Sequence, residues 1–123
     1  MSPDRNLLVF AGFNGAMAVA LGAFAAHGAA PAVKTLLTTG GQYQMVHAAL
    51  AVALALWNSG GRLARLAGWL ASGGGLVFCL ALAMIGLLSL PVMGAVAPVG
   101  GALMIAGWAL LIFAAFQSNP PKA

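Results

Sequence analysis

Apolar positions dominate this chain in long blocks, and the charges fall only between them. Three stretches carry no Asp, Glu, Lys or Arg: 6–33, 35–61 and 66–121. A charge-free apolar stretch of more than about 18 residues is long enough to cross a bilayer, because the hydrocarbon core is roughly 30 Å thick. A helix rises about 1.5 Å per residue. The third stretch therefore has room for two crossings and a turn. Helix breakers divide the whole into four helices, about 7–26, 42–57, 63–89 and 98–116. Gly28 and Pro31 end the first, and 32–39 forms a short interfacial turn before Gly40-Gly41 resets the chain. Asn58-Ser59-Gly60-Gly61 stops the second helix, Pro91 and Gly94 stop the third, and Pro98 suits the first turn of the fourth. The expected fold is all-α: one integral membrane domain over 1–123, an antiparallel four-helix bundle.

Small residues recur within these helices at alternating spacings of three and four. Helix 1 shows Gly12, Gly15, Val19, Gly22 and Ala26. Helix 2 shows Gln44, Ala48, Ala51, Ala55 and Asn58. Helix 3 shows Gly68, Ser72, Gly75, Cys79, Leu82, Gly86 and Ser89, and in helix 4 Gly100 and Gly107 share a face. Lipid tails give helices no hydrophobic reason to associate, so small residues that permit close backbone approach mark the packed face. Gly12, Gly15, Gly22, Gly68, Gly75, Gly86, Gly100 and Gly107 are the expected packing glycines. Leu76, Leu80 and Leu87 lie off the helix 3 stripe and are expected to face lipid.

Composition supports the membrane reading. The chain is 63% hydrophobic and 5% charged, against about 25% charged in soluble domains. A basic balance of +4 invites a nucleic-acid partner, but the five basic residues are scattered and form no patch, which excludes it. They report orientation instead. With the N-terminus inside, Arg5, Arg62, Arg65 and Lys122 fall on the cytoplasmic side and Lys34 alone on the other, which predicts N-in and C-in. The first apolar stretch is at the upper limit for a signal peptide and is interrupted by Asn14, so it reads as a retained helix. Cys79 is the sole cysteine. It offers no intrachain disulfide and reads as a small packing residue.

Candidate chemistry is sparse. No carboxylate falls within a span, which removes paired-carboxylate catalysis and carboxylate-driven ion transport. Gly73-Gly74-Gly75 lies inside a helix with no following Lys, so it is no phosphate loop. One polar cluster remains: His27 at the end of helix 1, and Gln42, Tyr43, Gln44 and His47 opening helix 2 on the same side. His27 and His47 are expected to approach one another there. The cluster fits interhelical hydrogen bonding, and a bis-histidine haem or metal pair is the alternative. No metal or other cofactor is expected.

Several of these segments resemble a known family. They are Gly22-Ala23-Phe24-Ala25-Ala26-His27-Gly28, Gln42-Tyr43-Gln44-Met45-Val46-His47-Ala48, Ala67-Gly68-Trp69, Gly94-Ala95-Val96-Ala97-Pro98-Val99-Gly100-Gly101 and Ala106-Gly107-Trp108. They are similar to the domain of unknown function 423 family of small four-helix bacterial inner-membrane proteins. The resemblance covers helix 1 to helix 4. It implies four membrane helices in the inner membrane and no established activity. The family tends to carry an acid and a base just before Tyr-Gln-Met, where Thr38 and Gln42 stand here.

The expected function is non-enzymatic. The chain reads as a structural or accessory subunit in the lipid bilayer, packing within a larger membrane complex or as a homo-oligomer. A small oligomeric transporter or pore, or the bis-histidine protein, is the competing reading.

Overall fold

A computed structural model, which describes residues 3–118, contains four long helices: α1 Arg5–His27, α2 Pro31–Leu56, α3 Gly61–Leu88 and α4 Ala97–Gln117. Short 3₁₀ turns, Asn58–Gly60 and Pro91–Ala95, join the last three. Lys122, which entered the orientation reading, lies outside the described residues.

Local chemistry sets the ends. Asp4 caps α1, its carboxylate accepting from the Leu7 amide at 3.1 Å, which satisfies one of the amides a helix start leaves open. Pro31 occupies the first turn of α2, where its missing N–H costs nothing. Gly61 takes a φ of +65°, so the turn into α3 needs a residue without a Cβ.

The second helix corrects the sequence reading. It does not begin at 42 after a break at Gly40-Gly41, but runs unbroken from Pro31. The glycines face neighbours. A Cβ on Gly40 would stand 3.2 Å from the Cys79 Cα, and one on Gly41 would stand 3.4 Å from the Ala18 carbonyl oxygen. The close approach of α3 and α1 at these positions offsets the roughly 1 kcal/mol that each glycine costs a helix.

Consecutive helices pack antiparallel. Asn14 meets Gln44 between α1 and α2, Gly75 meets Gln44 between α2 and α3, and Gly74 meets Gly100 between α3 and α4. The middle pair is α2 and α3. α1 lies on α2, α4 lies on α3, and α1 and α4 have no substantial packing on one another. α1 reaches α3 near their starts, where Phe10 stacks on Trp69 at 5.1 Å and Arg65 pairs with Asp4 at 3.9 Å.

Size is distributed inside out. The buried residues are largely Ala and Gly, while Val9, Phe13, Ile105, Ile112, Phe113 and Phe116 point outward. A water-soluble bundle would bury the large side chains. A bilayer solvates them and rewards close backbone approach instead. Three of the described helical segments are long and apolar enough to cross a membrane: those containing α1, α3 and α4. α2 is the most polar of the four, and it turns Gln44 and His47 inward.

The packing glycines divide. A Cβ on Gly68, Gly75, Gly86, Gly100 or Gly107 would meet atoms of a neighbouring helix, and one on Gly100 would stand 2.6 Å from the Phe78 amide nitrogen. Gly12, Gly15 and Gly22 are a correction, because a Cβ on any of them would meet nothing within 4 Å. α1 instead buries Leu7, Ala11, Asn14, Ala18 and Ala25. That stripe has the same three-four spacing, shifted by one residue, or about 100° around the helix. Helix 1 carries small residues on both faces, so spacing does not choose between them. Asn14 decides, since its amide must leave lipid.

Candidate functional site

The polar side chains of α2 spread over three places rather than one cluster. Gln44 and His47 point into the bundle, Gln42 and Tyr43 reach its surface, and His27 stands exposed at the end of α1.

The first place is the α1–α2 contact. Gln44 donates from Nε2 to Asn14 Oδ1 at 2.9 Å. Asn14 donates from Nδ2 to the Phe10 carbonyl, one turn back on its own helix, at 3.0 Å. Both side chains are fully buried. Gln44 Oε1 and, on α3, Ser72 Oγ are buried with no hydrogen-bond partner.

The second place joins α2 to α4. His47 Nδ1 lies 2.7 Å from the Tyr43 carbonyl oxygen, and Trp108 donates from Nε1 to His47 Nε2 at 2.9 Å. A carbonyl only accepts and an indole N–H only donates. Nδ1 therefore carries the proton, Nε2 is the acceptor, and the imidazole is neutral. Aromatic rings enclose it. Tyr43 stacks on His47 at 6.3 Å, Phe78 meets Tyr43 edge-on at 5.1 Å, and Trp108 meets His47 edge-on at 5.9 Å. With Gly101, Met104 and Ile105 they line a groove of about 450 Å³. Gly75 makes room for this arrangement, since a Cβ there would stand 3.4 Å from His47 Cβ.

The third place is the outer α1–α2 groove, of about 550 Å³, to which Gln42 contributes beside Lys34 and Thr38.

His27 joins none of these. The α1–α2 register that sets Asn14 beside Gln44 and Ala18 beside Gly41 brings His47 level with the first half of α1. His27 lies about 20 Å further along the bundle. The expected approach of the two histidines came from starting helix 2 at 42, which put His47 one turn from its beginning. It stands sixteen residues in, about 24 Å from the first residue of α2. The unbroken α2 thus separates the pair, and both His47 ring nitrogens are already engaged.

Trp108 and Phe78 were not among the candidate residues. One sequence signal pointed to Trp108: a tryptophan deep in a span needs an acceptor for its N–H, and His47 is the imidazole lying within a span.

Residues 21–101 match the model of a family described as protein of unknown function, DUF423. A membrane protein of Staphylococcus aureus strain bovine RF122, described as UPF0382, is 32% identical over 118 residues, covering 92% of this chain and 97% of that one. The UPF0382 membrane protein YwdK of Bacillus subtilis strain 168 is 32% identical over 120 residues, covering 92% and 98%. No solved structure matches.

Proposed function

As this chain belongs to the DUF423 family of unknown function, we propose that it is a non-catalytic accessory protein of the bacterial inner membrane. In this reading both termini are cytoplasmic, and the chain works through its lipid-facing exterior as a subunit of a larger membrane complex or a homo-oligomer. The observation that carries it is the state of the interior polar groups. Asn14, Gln44 Nε2, both ring nitrogens of His47 and the Trp108 N–H are spent on one another and on backbone carbonyls, which leaves Gln44 Oε1 and Ser72 Oγ as the buried groups of this region without a partner. No nucleophile sits beside a base among them, and the neutral His47 is held from both sides. Such contacts are the usual glue of membrane bundles. The bis-histidine alternative loses its support with His27 remote from His47. The exterior offers what the interior does not. Gly12 and Gly15 of α1 leave open space on a helix that α4 does not cover, and small residues on an open face favour close helix association.

The test is site-specific photo-crosslinking in native membranes. A crosslinker at Gly12 should give a discrete protein adduct, and one at Phe116 should give diffuse lipid labelling. The same lipid labelling from both positions would overturn the accessory reading.

A further inference from the structure

We propose that the outer α1–α2 groove is a binding site for one anionic phospholipid, its phosphate held by Lys34 and an acyl chain lying along the small residues of α1. This goes beyond the accessory reading and does not depend on it. The groove is lined by Ala18, Gly22 and Ala26 from α1 and by Lys34, Thr38, Gln42 and neighbours from α2. Its volume of about 550 Å³ lies within the ordinary range for ligand sites, about 300–1,000 Å³.

Depth orders its parts. Lys34 stands in the first turn of α2, level with the end of α1, where the bundle meets the headgroup region. Thr38 and Gln42 follow at intervals of four residues, so all three share one face. Gln42 lies about 12 Å deeper than Lys34. The groove thus starts at a cation and descends between the small residues of α1 and a face of α2 that passes through Thr38 and Gln42 to Met45 and Val46, which suits a headgroup followed by its chain. The start of α2 adds to the attraction, because Ala30 supplies no side-chain cap and open amides at a helix start favour an anion.

Charge selects the occupant. Lys34 attracts an anion, and a second copy of this chain carries a single acidic side chain. Asp4 is the one acidic residue in the sequence, and it is engaged with Arg65 near the other end of the bundle. A lipid phosphate supplies the charge at the depth where Lys34 stands. Basic residues at the membrane surface favour anionic over neutral lipids by about fivefold each.

The experiment uses the full-length chain in nanodiscs containing equal phosphatidylglycerol and phosphatidylcholine, followed by native mass spectrometry of the lipids retained after release into detergent. One phosphatidylglycerol per chain is expected, preferred over phosphatidylcholine. Lys34→Gln should cut that preference about fivefold. Gly22→Leu should abolish retention of either lipid by filling the groove. It has open space for its Cβ, so its thermal unfolding in detergent should match the parent and separate groove filling from misfolding. Equal retention of the two lipids by the parent chain would overturn the proposal. So would unchanged retention in Gly22→Leu, or a dimer that Gly22→Leu disrupts while lipid retention persists.

Discussion

His47 and Gln44 lie three residues apart, and the two are stabilised differently. His47 uses both ring nitrogens, one toward its own helix and one toward α4. Removing the α4 donor leaves Nε2 without a partner in an apolar setting. Trp108→Phe should therefore lower the stability of the detergent-solubilised protein by about 0.6–2 kcal/mol, the range for interhelical hydrogen bonds. Thermal or SDS-titrated unfolding reads this directly, and no change would mean that the bond contributes nothing. Gln44 depends on Asn14 for its one interhelical bond, and its Oε1 is already without a partner. Asn14→Leu strands the rest of the amide, at a cost of about 1–3 kcal/mol. The double variant Asn14→Leu with Gln44→Leu removes both buried amides and should recover most of that loss. A double variant weaker than Asn14→Leu alone would show that the pair does more than satisfy itself.

At the scale of the element, glycine has two opposite roles in these helices. Gly100 lies where the backbones of α3 and α4 touch, and a methyl group added there would stand under 3 Å from both the Phe78 amide nitrogen and the Gly74 carbonyl oxygen. Backbone atoms do not yield as side-chain ends do, so Gly100→Ala should separate the helices and lower the unfolding midpoint. Gly12 stands in open space. Gly12→Ala should leave stability unchanged or raise it by up to about 1 kcal/mol, because alanine is the better helix former. If Gly12→Ala proved the more damaging of the two, α1 would pack within the bundle through the face that stands open here. The glycines of α2 follow the logic of Gly100. Gly40 and Gly41 read as a break because glycine is a poor helix former, yet they mark the crossings with α3 and α1.

At the scale of the whole molecule, four antiparallel helices bring the end of α4 back to the end of the bundle at which α1 starts. The Asp4–Arg65 pair holds the starts of α1 and α3 together, and Arg5 and Arg62 belong to the same end, opposite Lys34. Basic residues are retained on the cytoplasmic side, so a reporter fused after the C-terminus should be active only in its cytoplasmic form. A periplasmic signal from that fusion would reverse the orientation. The assembly is open along one side, where α1 and α4 have no substantial packing on one another, and this leaves most of α1 to the bilayer or to what packs there.

Sequence alone determined the membrane class, the number of helices and most of their ends. Those follow from local quantities: charge-free length and proline and glycine breaks. It also marked the inward face of α2 through Gln44, Ala48, Ala51 and Ala55, where polar and small residues fall on one side. Tertiary structure alone decided the continuity of α2, the buried face of α1 and the partners of the polar side chains. A glycine pair has the same propensity whether it ends a helix or seats a neighbour, and only the neighbour's presence distinguishes the two. Small residues surround α1, so the face it buries was set by Asn14 finding Gln44 across the contact. The register of the unbroken α2 then carried His47 away from His27 and toward Trp108, a pairing between residues sixty-one positions apart that no local pattern encodes.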